Sequence, residues 1–340
     1  MEPNTLTQRT SFQLGEFDII AAYFKDLTDQ DGVALGIGDD AAIINLPLQS
    51  ETQLVVASDT LVDGVHFPSD ASAYQIAQRA LCVNLSDMAA MAATPRWFTL
   101  ALTLPREKAN RQWLKDFSVG LAEVALEYKC ALIGGDTTAG PLSITMTVLG
   151  EVPVGAGLAR SGATSGDGVY VTGFLGDGAA GLLATTKIDS FKDIPENVSE
   201  RLLNVFYKPT PQIIAALKIR HLASACIDIS DGLVSDLGHI CKSSGVAASV
   251  DTAMLPIHPD LQGHFQDQCH DWALFGGDDY QLCFTVPAAD LSVVDDWIYQ
   301  GELDATRIGV IVPSCDNNPA VLIDGFKSLQ RLRGFDHFVT

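Results

Sequence analysis

Apolar positions recur along this chain in two periods, and those periods place most of its elements. After Glu16, the apolar residues Phe17, Ile20, Phe24 and Leu27 keep helical spacing. Residues 33–37, 41–45 and 53–58 read as strands, broken by Gly38-Asp39-Asp40 and by Pro47. Residues 72–93 form a long helical signal, stopped near Pro95. Its apolar positions Ile76, Ala80, Val83, Met88 and Met91 cover much of the circumference, which predicts a buried helix. Asn84 and Asp87 stand three residues apart on one face of it. Residues 97–104 then read as strand and 106–128 as helix. Residues 130–133 form a short strand ending in Gly134-Gly135-Asp136, and 143–152 a further strand.

Residues 151–158, rich in Pro and Gly, mark a domain boundary, dividing the chain into 1–152 and 153–340. In the second half, strands fall at 168–172, 223–229, 246–250, 281–286, 307–312 and 320–323. Helices follow Ala179 and span 199–206, 233–244 and 291–299. Short strands alternating with substantial helices predict a mixed α/β (α+β) architecture in two domains. A length of 340 residues is enough to give each domain a core.

Composition narrows the partners. The chain is 47% hydrophobic and 19% charged, a globular balance. Asp plus Glu number 42 against 21 Lys plus Arg, a net charge of −21, which argues against nucleic acid and anionic lipid surfaces. A phosphate substrate stays possible if metal ions accompany it, because few basic side chains could neutralise it. The start has no basic and apolar leader, and no apolar run approaches a membrane span. Seven scattered cysteines without a C-x-x-C pair argue for reduced thiols in the cytoplasm and against zinc. Cys82, Cys130, Cys226 and Cys283 sit in apolar runs and read as core.

The candidate chemistry is acidic. Asp39, Asp59, Asp87, Asp136, Asp228 and Asp231 stand beside glycines, small hydroxyl residues and apolar runs. A lone carboxylate there is most simply a turn residue. Several of them, with Asp87 and Asp228 inside apolar segments, point instead to a shared hard cation, with Ser58 and Ser230 completing the oxygen shell. Gly173-Phe174-Leu175-Gly176-Asp177-Gly178 reads equally as a phosphate cradle or a tight turn, and no Gly-Lys-Ser/Thr follows it. Arg160 is either a phosphate clamp or a surface residue. His66 either meets an anionic substrate or packs beside Phe67. Asp278, Asp279 and Tyr280 either meet a cationic or amine-bearing substrate or form a charged loop. No Ser/Cys–His triad and no pair of base and nucleophile is visible.

Read in order, Gly36-Ile37-Gly38-Asp39-Asp40, Asp63-Gly64-Val65-His66-Phe67, Asn84-Leu85-Ser86-Asp87, Gly134-Gly135-Asp136, Asp228-Ile229-Ser230-Asp231-Gly232-Leu233 and Leu274-Phe275-Gly276-Gly277-Asp278-Asp279-Tyr280 resemble the thiamine-monophosphate kinase family. The wider superfamily of aminoimidazole ribonucleotide synthetase and selenophosphate synthetase shares the Gly-Asp style. The resemblance implies a two-domain aminoimidazole ribonucleotide synthetase-like fold whose N-terminal domains pair in a homodimer. It implies ATP-dependent conversion of thiamine monophosphate to thiamine diphosphate. By matched position, Asp39, Ser58, Asp59, Asp87, Asp136, Asp228 and Asp231 would bind several Mg²⁺ ions. Gly135, Asp136, Arg160 and Ser230 would meet ATP, and His66, Asp278 and Phe335 the thiamine substrate.

Three positions depart from the family's pattern: Ala57 where some members have Thr, Asp278 where Glu is common, and Phe335 where Trp is frequent. The reaction itself asks little of a base. A phosphate monoester acceptor is already anionic near neutrality, so the difficulty is bringing two polyanions together. Direct in-line transfer assisted by metal needs no general base. The alternatives are an aminoimidazole ribonucleotide synthetase-like enzyme and a non-catalytic nucleotide or metal-binding module.

Overall fold

One helix lies between the two halves of the chain. In this computed structural model, which describes residues 22–23, 33–35, 43–44, 51–186, 191, 194–266, 268–314 and 320–324, helix α1 spans Ala73–Ala90. A capping box starts it: the Ser72 side chain accepts from the Gln75 N–H, and the Gln75 side chain accepts from the Ser72 N–H. Fifteen of its 18 residues are buried, so no face of it is a solvent face. It ends three residues before the predicted stop because Ala92 takes a left-handed φ of 51° and turns the chain into the next strand.

On one side α1 covers a four-stranded sheet. Strands β3 (Thr52–Val62), β4 (Thr94–Leu104), β5 (Ala131–Ala139) and β6 (Ser143–Pro153) lie in the order β3-β6-β4-β5. The β4–β5 pair is parallel and the other pairs antiparallel. Along β6, buried Ile144, Met146, Val148 and Val152 alternate with Ser143, Thr145 and Thr147, the mark of one buried face. Two of these strands outrun their apolar signals. β3 continues through Asp59-Thr60-Leu61-Val62 against β6. β5 continues past Ile133 through Gly134-Gly135-Asp136 against β4. Gly135 makes the second extension possible, since a Cβ there would lie 1.8 Å from the Leu100 carbonyl oxygen. Helix α2 (Arg111–Glu127) packs on α1 and starts after its predicted position, at the Asn110 cap, whose side chain accepts from the Gln112 and Trp113 N–H groups.

On the other side α1 meets the C-terminal half. There β7 (Gly168–Thr172), β8 (Ala225–Asp228), β9 (Val246–Asp251), β10 (Leu282–Val286), β11 (Ala305–Pro313) and β12 (Val321–Asp324) form one sheet, ordered β12-β9-β11-β7-β10-β8. Only the β12–β9 pair is parallel. Every residue of β7, β8 and β10 is buried, because both faces of the sheet are covered. Tyr170, Cys226 and Phe284 face the core that contains α1. Val171, Ile227 and Cys283 face a second core built with helices α3 (Asp177–Thr185), α6 (Leu233–Ser244) and α8 (Gln268–Phe275). The remaining helices are α4 (Glu196–Tyr207), α5 (Ile213–Ile219), α7 (Pro259–Phe265) and α9 (Leu291–Tyr299). Helices α5, α7 and α8 carry no sequence expectation: at seven or eight residues they are too short for a helical period to show.

Strands β1 (Val33–Leu35) and β2 (Ile43–Ile44) pair antiparallel as a separate ladder. The helix expected from Glu16 lies largely outside the described residues, as do Asp39, Asp40 and Phe335. Cys82, Cys130, Cys226 and Cys283 are core residues, and burial pushes the Cys82 thiol up to about 12. Among the described residues no helix is long and apolar enough to cross a membrane.

Candidate active site

Three carboxylates from three elements face one another beside the lower half of α1. Asp87 stands on α1, half-buried, one residue after Ser86. Asp59 stands on β3 opposite Met146, so it points to the α1 side of the sheet. Its backbone N–H donates to Asn84 Oδ1 on α1 (3.1 Å), while Asn84 Nδ2 donates to the Ala80 carbonyl (2.8 Å). Asn84 is thus the buried post that fixes β3 to α1 at this level. Asp228 ends β8 and is buried; its Oδ2 accepts from the Ser86 hydroxyl at 2.8 Å. That bond joins the two halves of the chain.

The charges of this group oppose each other. Burial, then Asp228 and Asp59, push the Asp87 carboxyl up to about 8, with Arg160 acting the other way. Burial raises Asp228, against the Ser86 hydroxyl, and the Asp59 charge raises it further. Asp59 keeps solvent-accessible surface, yet partial desolvation against α1 raises its carboxyl as well. Arg160 is the cation that faces these acids. It follows Ala159, whose carbonyl accepts from the Cys226 N–H on β8 at 2.9 Å.

A fourth acid, not foreseen from the sequence, shapes the turn after β8. Asp236, buried in the first turn of α6, accepts from the Ser230 N–H (3.1 Å) and the Asp231 N–H (3.0 Å) through the same oxygen. The turn therefore takes its shape from the helix that follows it. Burial, then Asp231 and Asp228, push the Asp236 carboxyl up to about 8. An Asp in the first turn of a helix opened by glycine is the signal that would have found it. The Ser230 carbonyl accepts from the Asp278 N–H (2.9 Å), and the Ile229 carbonyl from the Tyr280 N–H (2.8 Å). The two acid-bearing loops are thereby stitched together.

His66 and Asp278 are held together through the upper half of α1, where Arg79 bonds to the His66 carbonyl and to the Asp278 carboxylate. Eight residues of α1 separate Arg79, which pairs with Asp278, from Asp87, about 12 Å along the axis. His66 Nδ1 accepts from the Val62 N–H at 3.0 Å, which assigns its proton to Nε2.

Several residues named together on sequence grounds are apart. The Ser58 hydroxyl donates to the Met146 carbonyl (3.0 Å) and shares a hydrogen bond with Thr147 Oγ1 (3.0 Å) on the sheet face opposite Asp59. Asp136 also occupies that far face, in line with Ala101, and Gly135 lies three strands from Asp59, roughly 14 Å. The glycine-rich turn is committed elsewhere. Its Gly176 and Gly178 N–H groups donate to the two oxygens of buried Asp279 at 2.8 and 2.9 Å. That pairing is a turn and helix start, not an open phosphate cradle. A cleft of about 910 Å³ between the start of α1 and α4, lined by Gln75, Gln78 and Tyr207 among others, contains none of the residues predicted for the site.

Among the described residues no three His, Cys, Asp or Glu side chains, Asp59, Asp87 and Asp228 included, lie close enough together to hold a metal ion between them. Mg²⁺ rarely uses three: it takes one or two carboxylates and completes its shell with phosphate oxygens and water. Hard oxygen donors whose carboxyl groups are raised first by burial and then by one another's charge fit such an ion.

Known proteins share this arrangement along its length. The profile of the AIR synthase related protein, N-terminal domain, matches residues 38–152, and that of the C-terminal domain matches residues 164–321. Thiamine-monophosphate kinase of Escherichia coli (strain K12) is 43% identical over 328 residues, covering 96% of this chain and 99% of its own. The crystal structure of thiamine-monophosphate kinase from Stenotrophomonas maltophilia K279a matches with a TM-score of 0.81 at 41% identity, over 91% of this chain and 97% of that one. The structure of AaThiL complexed with AMPPCP and TMP matches with a TM-score of 0.75 at 30% identity, over 96% of this chain and 100% of that one. With its fold and 96% of its length in common with these relatives, the chain belongs to the thiamine-monophosphate kinase family of AIR synthase related proteins.

Proposed function

We propose that this protein transfers the γ-phosphoryl group of ATP directly to thiamine monophosphate, giving thiamine diphosphate. The observation that carries the proposal is the meeting of Asp59, Asp87 and Asp228, from three elements and both halves of the chain, with Arg160 beside them. The neighbour complexed with AMPPCP, a nucleoside triphosphate analogue, and TMP supports the substrate pair.

Asp59, Asp87 and Asp228 would hold magnesium, with Asp231 at the adjoining turn; Asp39, outside the described residues, belongs to the same proposed set. Magnesium bound there would neutralise phosphate charge on both substrates and favour a loose transition state. Arg160 adds a planar donor fork for a phosphate. Ser230 and Asp231 are presented by the Asp236 carboxylate, which holds the turn open toward the acids. The Asp278 N–H donates to the Ser230 carbonyl at 2.9 Å, and Arg79 ties Asp278 to the His66 loop, so an acceptor with its phosphate at the acids can extend its ring end toward Asp278. Phe335 is proposed to stack on that ring. No side chain has to remove a proton from an acceptor that is already anionic.

The proposed domain division at 152/153 falls one residue before the end of β6 at Pro153, and β7 starts the second half at Gly168. A homodimer through the four-stranded sheet accounts for exposed Leu54 and Val56 on β3 and for Ser58 and Asp136 on the outer face. Reduced core thiols and a need for ATP suit the cytoplasm.

ADP release from Mg-ATP, with and without thiamine monophosphate, tests the proposal. Thiamine monophosphate is expected to stimulate release, with thiamine diphosphate formed in equal amount, by a protein that sediments as a dimer. Nucleotide binding without stimulated release would favour a binding module, and a monomer with full activity would remove the dimer.

A further inference from the structure

Arg79 is a buried cation that the site described above leaves without a task. Its side chain is 3% exposed, in the upper half of α1. Removing an arginine from water costs several kcal/mol, roughly, unless every donor is met. Here each of the three nitrogens is met from a different part of the chain. Nε donates to the His66 carbonyl at 2.9 Å, in the loop after β3. One terminal nitrogen donates to the Phe206 carbonyl at 2.6 Å, near the end of α4. The other donates to Asp278 Oδ1, in the loop before β10. The guanidinium also lies over the Phe206 ring, 4.0 Å from its centroid. A planar fork can meet three acceptors at fixed angles, which a lysine cannot.

The geometry around Asp278 shows what this fork does. Asp278 and Tyr280 have φ values of 69° and 50°, unusual for residues other than glycine, so contacts must hold the loop in place. The Tyr280 hydroxyl donates to Asp278 Oδ1 at 3.3 Å, the same oxygen that Arg79 takes. Neither donor uses Oδ2. The carboxylate is therefore gripped by one oxygen and presented by the other. On the opposite flank, the same arginine fixes the backbone of His66, whose ring is oriented by the Val62 N–H.

We propose that Arg79 is a positioning residue for the acceptor substrate: it sets the Asp278 carboxylate and the His66 loop in register, across the junction of the two halves, so that the carboxylate meets a cationic or amine-bearing group of thiamine monophosphate. The inference rests on the acceptor assigned under Proposed function. Because the Arg79 side chain bonds to Asp278, the His66 carbonyl and the Phe206 carbonyl and to none of Asp59, Asp87 and Asp228, its loss should act first on the acceptor.

Steady-state kinetics with both substrates varied, on the full-length protein, tests this. Arg79→Met is expected to raise KM for thiamine monophosphate at least about tenfold and leave KM for ATP within about twofold. Arg79→Lys, which keeps the charge but not the fork, should fall between Arg79→Met and wild type. In the pair Arg79→Met/Asp278→Asn, KM should stay within about twofold of Asp278→Asn alone, since both changes break one unit. An unchanged KM for thiamine monophosphate in Arg79→Met, an equal rise for both substrates, or multiplicative effects in the double variant would overturn the proposal. If Arg79→Met does not fold, Arg79→Lys decides: a raised KM for thiamine monophosphate alone supports the role, and wild-type constants refute it. Wild-type protein without thiamine-monophosphate-dependent ADP release would sink the assigned reaction itself, whereas normal wild-type turnover with an indifferent Arg79→Met would sink only the role of the arginine.

Discussion

Asp87 carries a cost that only function explains. Its carboxyl rises to about 8 through burial and through the charges of Asp228 and Asp59. The folded state therefore holds its proton more tightly than the unfolded chain does. The stability this lends is complete below about pH 4 and is lost as pH rises toward about 8. In metal-free protein, Asp87→Asn removes the loss. The melting temperature of Asp87→Asn should match wild type near pH 4 and exceed it by at least ~3 °C near pH 8.5, measured in EDTA. A variant that melts below wild type at both pH values would show that Asp87 has a structural role. At this scale the sequence was informative about self-evident oddities. Asp87 and Asp228 stand inside apolar runs, and a carboxylate there demands a reason. Asp236 and Arg79 gave no such sign, because what makes Arg79 notable lies far along the chain, at Phe206 and Asp278.

Elements show where local pattern ends and tertiary pairing begins. Helix α6 and strand β7 lie where their apolar periods place them. β5 does not stop where its apolar run stops, because its hydrogen bonds to β4 continue through Gly134-Gly135-Asp136 without needing apolar side chains. The glycine-rich turn before α3 was ambiguous for a related reason. A cradle and a tight turn share the same glycines, and only the long-range partner Asp279 separates them. Asp279→Ala is expected to leave two buried N–H groups unmet and to lower stability by about 2–4 kcal/mol in urea unfolding. KM for ATP should stay near wild type in the folded fraction. A large rise in KM for ATP with little loss of stability would return the turn to phosphate binding.

Among the described residues the two larger sheets are held to one helix. Ser86 bonds to Asp228 and Arg79 bonds to Asp278 and Phe206, so α1 grips the C-terminal half at two points seven residues apart. The acids of the two halves meet because of that grip. Alternation along β3 could assign Ser58 and Asp59 to opposite faces, but not say which face is the reactive one. Asp136 fits the family's motif and yet lies on the far face, where a second copy of the chain is proposed to pair. The central claim is that the acids gathered on α1 serve phosphoryl transfer. Turnover of thiamine monophosphate by Asp87→Asn tests it most directly. The expected result is a loss of about a hundredfold or more in kcat, with the fold intact by circular dichroism. Near-normal turnover would mean that the centre of the site lies elsewhere.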